Sequence, residues 1–486
     1  MNRRQFLLAA SSLALCLRSA AQQRPTTKPA TSHPSATQAS PELLSDLITN
    51  APPSPGSVIL CRPTDHSVTA SVMLHDSTPP ASALIRYGPV TNPILHTTAP
   101  IPLTPGKPAH VLLDKLPPNT ACSYSLLNTA TRKPLLPDIA TAGSTGHFHT
   151  ARPPGSSFTF TIQADSHLDT GCRRDYYDNC LQNQLADRPD FTLDLGDTFM
   201  AGKLPSRPIA LSQYKAQRTY LRQLCHSSPL LLTLGNHDGE ELKQRAADSP
   251  TGLATWSNTQ RKTFFPNPEP CDFYSANSTP HPAAGLLQNY YAFTWADALF
   301  VVLDPYWSST ASRGSGAGWN LSLGKTQYDW LASTLRASKA RHKLIFIHQL
   351  TGGLDAGGRG GSEAAPLYEW GGHEPDNTFT FPTHRPGWQM PIHQLLVETK
   401  VRAVFHGHDH FYARQDLDGI TYQLVPQPAH RNTRQDHAAE YGYRTGTFLP
   451  NSGHLRVQVS PTALTVAYIP STRPNATPTT TYTLHA

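Results

Sequence analysis

Five stretches decide how this chain reads: FTFTIQADSH at 158–167, FTLDLGD at 191–197, LLLTLGNHD at 230–238, LIFIH at 344–348 and AVFHGHDH at 403–410. Each is an apolar, strand-like run that ends in a polar motif: Asp165-Ser-His167, Gly196-Asp197, Gly235-Asn236-His237-Asp238, His348 alone, and Gly407-His408-Asp409-His410. Singly they mean little. Asp197 alone reads as a turn residue, and a histidine such as His348 at the end of an apolar run is more often a core or surface residue than a ligand. Together they supply seven metal-type ligands, Asp165, His167, Asp197, Asn236, His348, His408 and His410, with His237 left over. That is the inventory of a two-metal hydrolase, in which one carboxylate offers an oxygen to each of two ions about 3.5–4 Å apart. Mixed His, Asp and Asn ligation suits iron, manganese or zinc rather than calcium. In the last motif, histidines two apart on an extended stretch point the same way, and Gly407 lets the backbone approach the ions closely.

Outward from these motifs, strand and helix alternate. Further apolar runs at Leu299–Leu303, Ile420–Val425 and His454–Ile469 read as strands, and 175–187, 211–225, 325–337 and 391–399 read as helices. The pattern predicts an α/β layered domain whose ligands gather beyond the carboxyl ends of its strands. Two long irregular stretches interrupt it, about 239–288 and 352–387, and loops of this length in a compact domain are usually functional or disordered. Runs such as 289–293, 304–307, 359–361 and 385–388 resemble a bacterial branch of the calcineurin-like metallophosphoesterase superfamily, and that resemblance implies substrate-channel loops. Arg261 is a candidate for substrate contact, and Arg313 and Arg359 are candidates for clamping phosphate oxygens, because a guanidinium suits bidentate recognition. The glycines of 352–361 do not make a nucleotide phosphate loop, since no Gly-Lys-Ser/Thr ending follows.

The motif series, from about Phe158 to the final strands, resembles the calcineurin-like metallophosphoesterase superfamily, whose motifs run D-x-H, G-D, G-N-H-D/E, H and G-H-x-H. The resemblance implies an α/β/β/α sandwich and a phosphoester hydrolase, a phosphatase or phosphodiesterase, in which a hydroxide held by two metal ions is the nucleophile. It implies Asp197 as the bridging ligand, Asp165, His167 and His410 at the first ion, and Asn236, His348 and His408 at the second. His237 would be the catalytic histidine, assisting the leaving alkoxide, with Asp238 orienting it and raising its pKa. A nucleotide phosphodiesterase or pyrophosphohydrolase with the same centre is an alternative. So is a non-catalytic surface-binding protein on a degenerate hydrolase scaffold.

The first 21 residues, MNRRQFLLAASSLALCLRSAA, join a charged start to an apolar run and small residues at a plausible cleavage point. Arg3-Arg4-Gln5-Phe6-Leu7 resembles a twin-arginine export signal, which implies the twin-arginine machinery as a partner of the precursor and a periplasmic or secreted location. Residues 22–55 are rich in Pro, Thr and Ser and read as a disordered or extended linker. From 56 to 152, short runs such as 67–73, 83–87 and 110–113, separated by Pro, Gly and Asn turns, predict a small β-sandwich. The segments at 62–69, 85–88 and 116–120 resemble the fibronectin type III-like domain that precedes the catalytic domain of purple acid phosphatases. A break at Pro153-Pro154-Gly155 then opens the catalytic domain, 156–486. The comparison with purple acid phosphatases has a limit. Those enzymes carry a tyrosine ligand three residues after the bridging aspartate, where this chain has Met200, and they lack a counterpart of His167, so iron–tyrosinate chemistry is not implied.

At 486 residues, with 38% hydrophobic and 15% charged side chains, the chain fits two or three globular domains. The net charge is +6, and without the three arginines of the signal it is +3. With no basic run and no aromatic interleaving, nucleic acid is not implied as a partner. No other segment is long and apolar enough to span a membrane, so no stable membrane insertion is expected once the signal is removed. Beyond Cys16 there are six cysteines, which in an exported chain permit disulfides, with buried free thiols as the alternative.

Overall fold

Period-two alternation gives the central strands two apolar faces, and that requires layers on both sides. Phe158, Phe160 and Ile162 face inward with Leu193 and Leu231, while Leu230 and Leu232 face the opposite way. The same holds in the second half of the chain, where Leu344, Phe346 and Phe405 face the shared core and Ile345 and Val404 face outward. The computed structural model describes residues 45–52, 54–136, 145–245, 251–311, 318–431, 435–450 and 452–486. The stretch read as an export signal, most of the stretch read as a linker and Arg313 lie outside them.

A nine-stranded sheet runs in the order Thr480–His485, Ala463–Pro470, Gly453–Val459, Phe158–Gln163, Thr192–Asp194, Leu230–Leu232, Gly56–Cys61, Val68–Leu74 and Ala109–Leu113. An eight-stranded sheet packs against it and centres on Ala298–Val302, His342–Phe346, Ala403–His406 and Ile420–Leu424, which pair in parallel. Aromatic side chains of both sheets interlock in the core between them, with Phe160 and Phe300 edge to face at 5.0 Å. Helices Arg174–Ala186 and Arg207–Cys225 cover the outside of the first sheet, and Gly324–Ala337 and Ile392–Glu398 cover the second. This is the α/β/β/α sandwich expected from the sequence. Among the described residues no helix is long and apolar enough to cross a membrane.

The described residues between 56 and 149 form β-strands and turns around their own core, which includes Val58, Val72, Ile85, Tyr124 and Phe148. One of its sheets is continuous with the catalytic layer, because Cys61 pairs in parallel with Leu230. Along the Gly56–Cys61 strand, Val58 and Leu60 serve the β-module while Ile59 packs under the catalytic helices. Arg218, on Arg207–Cys225, reinforces the joint. It donates to Ser57 Oγ (3.0 Å), Ser71 Oγ (2.9 Å), the Ser71 carbonyl (2.8 Å) and the Phe264 carbonyl (2.5 Å). These are neutral acceptors, and burial pushes its pKa down to about 9.

Two details differ from the sequence reading, and a third decides between alternatives it left open. The end of the linker is not extended throughout: Asp46–Thr49 forms a helical turn, Leu47 enters the core beneath the catalytic helices, and its carbonyl accepts from Tyr220 Oη at 3.1 Å. The stretch 239–288 contains the helix Leu253–Phe264, whose buried face, Ala254, Ser257, Asn258, Arg261 and Phe264, has helical spacing but is largely polar. The six cysteines are free thiols, five of them buried.

Arg218→Ala is expected to lower stability by about 3 kcal/mol, since it removes several hydrogen bonds to a buried charge and leaves a cavity. Arg218→Met, which refills the volume without charge, should cost less. Urea denaturation of the two variants measures the difference.

Candidate metal centre

Every sequence-predicted ligand sits just beyond the carboxyl end of a parallel strand. Asp165, Asp197 and Asn236 follow Phe158–Gln163, Thr192–Asp194 and Leu230–Leu232 of one sheet; His348, His408 and His410 follow His342–Phe346 and Ala403–His406 of the other. The two sheets therefore present donors to a common edge. Reaching it takes sharp turns. Asp165 (φ 58°), His167 (49°), Asp197 (54°), His408 (78°) and His410 (73°) all hold left-handed backbone, which a non-glycine residue adopts at a cost of about 1–3 kcal/mol. The turns brace one another through hydrogen bonds from Asp165 N to the Gly196 carbonyl (2.9 Å), His167 N to the Asp197 carbonyl (3.1 Å) and Gly407 N to the His348 carbonyl (2.9 Å). A side chain on Gly235 would meet the Asp197 amide at 2.0 Å, so the second and third motifs pack backbone to backbone. The absence of a side chain at Gly407 makes room for Asp165, whose Oδ2 would lie 2.6 Å from an added Cβ.

Two overlapping donor groups result, Asp165 with His167, Asp197 and His410, and Asp197 with His348 and His408, each with ligand atoms within 4.8 Å of one another. Asp197 belongs to both. Its Oδ1 accepts from the His237 amide at 2.7 Å, and its Oδ2 lies 3.5 Å from His167 Nε2 and 3.4 Å from His348 Nε2. Asp165 divides its oxygens the same way: Oδ2 accepts from the His408 amide at 2.9 Å and Oδ1 lies 3.3 Å from His410 Nε2. Asn236 Oδ1 is 3.2 Å from His348 Nε2. Asp165 Oδ1, His167 Nε2 and Asp197 Oδ2 are buried with no hydrogen-bond partner, and an orphaned buried polar atom is costly unless something else satisfies it. Three such atoms converging on one space fit a cation.

The imidazole tautomers agree. A carbonyl or carboxylate oxygen can only accept, so the nitrogen facing it carries a proton that stays when a cation binds, and the other nitrogen is the one able to offer a lone pair to the ion. His348 Nδ1 faces the Leu195 carbonyl at 2.8 Å and His167 Nδ1 faces Asp169 Oδ2 at 3.3 Å, which leaves Nε2 of each turned inward. His408 is the reverse case. Its Nε2 faces the Gly357 carbonyl at 2.9 Å, leaving Nδ1 as the donor. Burial pushes Asp165 and Asp197 toward protonation, but the surrounding histidines outweigh it and hold both carboxylates well below their usual range. Burial presses His348 toward neutrality, and Asp197 and Asp165 override it, raising its pKa to about 9.

Two sequence readings need correction. Asp238 does not turn its carboxylate to orienting His237. Its oxygens accept from the amides of Phe199 (2.8 Å) and Gly235 (2.7 Å), tying the second motif to the third, because buried turn amides demand acceptors. Arg261 is not a substrate contact. It is fully buried against Glu240 (2.7 Å) and the carbonyls of Leu287 and Gln288, where it anchors its helix behind the centre. Arg359 turns back on its own loop, 3.1 Å from Asp355 and 4.3 Å from the centroid of the Tyr441 ring. Sequence reasoning also missed residues that shape the site. Asp169 fixes His167, and Asp194 accepts from Gly196 N (3.1 Å) and Thr198 Oγ1 (2.8 Å) to shape the second motif. Their only signal was proximity to a motif.

A sequence model of the calcineurin-like phosphoesterase family matches residues 158–412, more than half of the chain. The chain belongs to that family. Its fold is similar to that of PhoD, with a TM-score of 0.61 at 15% identity over 91% of this chain and 90% of that one. It is also similar to purple acid phosphatase PPD1 from seeds of yellow lupin (Lupinus luteus), with a TM-score of 0.56 at 14% identity over 89% and 75% of the two chains. At these identities the likeness shows the fold alone. No curated protein matches the chain. Membership in a family of metal-dependent phosphoesterases agrees with the orphaned donors at the strand ends.

Metal uptake should be linked to proton release. Burial presses both His348 and His167 toward neutrality, but the neighbouring carboxylates hold them protonated above the usual histidine range, His348 up to about pH 9, and an ion must displace those protons. Apparent affinity is expected to rise with pH through about 9. Calorimetric titration in buffers of different ionisation enthalpy measures the protons released.

Proposed function

We propose that this chain is an exported phosphoester hydrolase working with two metal ions that share Asp197. The observation that carries the reading is Asp197 Oδ2, buried, without a hydrogen-bond partner and within 3.5 Å of a histidine from each donor group. Asp165, His167 and His410 would complete one coordination shell and Asn236, His348 and His408 the other, a mixed set that suits iron, manganese or zinc. When bound, such a pair supplies Lewis acidity toward phosphoryl oxygens and lowers the pKa of water.

The protein's own contribution is positioning and proton transfer. The second nitrogens of His167, His348 and His408 rest on fixed acceptors, so these rings cannot swing away from the centre. His237 is a member of neither donor group but adjoins the residue they share. Its amide is bound to Asp197 Oδ1, its Nε2 lies 3.9 Å from Asp197 Oδ2, and 12% of its side chain is open to solvent at the rim. From there it can hold a proton beside the phosphorus and deliver it to the departing alkoxide. Asp238 serves this step indirectly, by holding the turn that carries His237.

Export is supported by Arg3-Arg4 ahead of the apolar run, and a folded passage would allow loading of the ions before the protein leaves the cytoplasm. Exchanging Arg3 and Arg4 for Lys is expected to leave precursor in the cytoplasm, as read by cell fractionation. For the chemistry, His237→Ala is expected to lower kcat on aryl phosphoesters by roughly 10²–10⁴ with metal content kept. Asp197→Ala should lose metal and activity together. Wild-type turnover by His237→Ala would refute its role.

A further inference from the structure

The glycine-rich stretch 352–361 touches the second donor group at His408. Its Gly357 carbonyl takes His408 Nε2 at 2.9 Å, which selects the tautomer that bares Nδ1. Three residues on, the Gly360 amide donates to Asp409 Oδ2 at 3.0 Å, and Tyr443 Oη donates to the same oxygen at 2.8 Å. Asp409 and Tyr443 are each 2% exposed. The strap has little latitude. Gly360 sits at φ 110°, and an added Cβ there would lie 2.7 Å from Leu354 Cδ1, while one on Gly358 would lie 2.3 Å from Gln349 Nε2, next to His348. Its far end is held as well, by Ser362 N donating to Gln415 Oε1 at 2.9 Å.

We propose that Asp409 is a positioning residue for the metal centre: through Gly360 and Tyr443 it clasps the 352–361 strap so that the Gly357 carbonyl locks His408 with Nδ1 facing the ion. The inference rests on the two-ion reading above and assigns a task to the one side chain of the Gly-His-Asp-His motif that is not a ligand. Asp409 is suited to it because it lies between the two histidines in sequence while its Oδ2 reaches the strap; its Oδ1 is buried with no hydrogen-bond partner. His408 therefore receives its orientation from a carbonyl 51 positions away. The acceptor at Asp409 takes two hydrogen bonds on a single oxygen. A neutral amide can offer that oxygen too, and alanine cannot.

The test measures ions bound per full-length chain, and the affinity for each, by equilibrium dialysis against zinc and against manganese with elemental analysis. Wild type, Asp409→Ala, Asp409→Asn and Tyr443→Phe are compared. Asp409→Ala is expected to bind the second ion about 10–100-fold more weakly, as loss of support behind a histidine ligand generally does, and to keep the first. Asp409→Asn should recover most of that affinity, and Tyr443→Phe, which removes only a hydroxyl donor, should fall between. Wild-type affinity for both ions in Asp409→Ala would overturn the proposal. Equal loss of both ions in that variant would overturn it too, because it would signal general damage to the fold. If Asp409→Ala does not fold, Tyr443→Phe decides alone, and unchanged second-ion affinity there refutes the clasp. A wild-type chain that takes up no ion would instead sink the two-ion reading itself.

Discussion

Asp197 lies almost wholly out of solvent with one carboxylate oxygen on the His237 amide and the other on no hydrogen-bond donor. An ionised carboxylate in that position is tolerable only if cationic charge gathers around it, because an unpaired buried charge is among the most expensive features a fold can carry. Much of the surrounding structure answers that demand. Histidines reach it from both sheets, the Gly235 backbone closes against it, and the turn behind it is held by the carboxylate of Asp238.

The sandwich accounts for how so many donors arrive at one point. Parallel strands end at the same edge, and two sheets packed through an aromatic core bring two such edges together. Either sheet alone would offer an incomplete set. Left-handed backbone at five ligand positions is a local cost, offset by hydrogen bonds between turns that come from distant parts of the chain. The β-module adds to this rigidity, since its Gly56–Cys61 strand extends the sheet beside Leu230–Leu232, the strand that leads into the Asn236-His237 turn.

Much of this was legible in the sequence because it is local. An apolar run followed by Asp-x-His or Gly-Asn-His shows both the strand and the ligand at its end, and all seven metal-type residues meet in the structure. What escaped depends on distance or on polar burial. The helix Leu253–Phe264 hid because Ser257, Asn258 and Arg261 occupy positions where apolar residues normally mark the period. The pairing of Cys61 with Leu230 leaves no trace in either segment. Asp238 stands beside His237 in sequence and so invited a partnership, but the amides of Phe199 and Gly235, unsatisfied without it, take its oxygens. The carbonyl that orients His408 belongs to a loop read from the sequence as part of a substrate channel, and its contact with a residue 51 positions away leaves no local signal.

The most direct measurement is anomalous diffraction from crystals of the metal-loaded protein, collected at the absorption edge of the bound element. The account predicts two peaks separated by about 3.5–4 Å that share Asp197, one beside His167 and His410 and the other beside His348 and His408. A single peak, or two peaks that do not share Asp197, would contradict it.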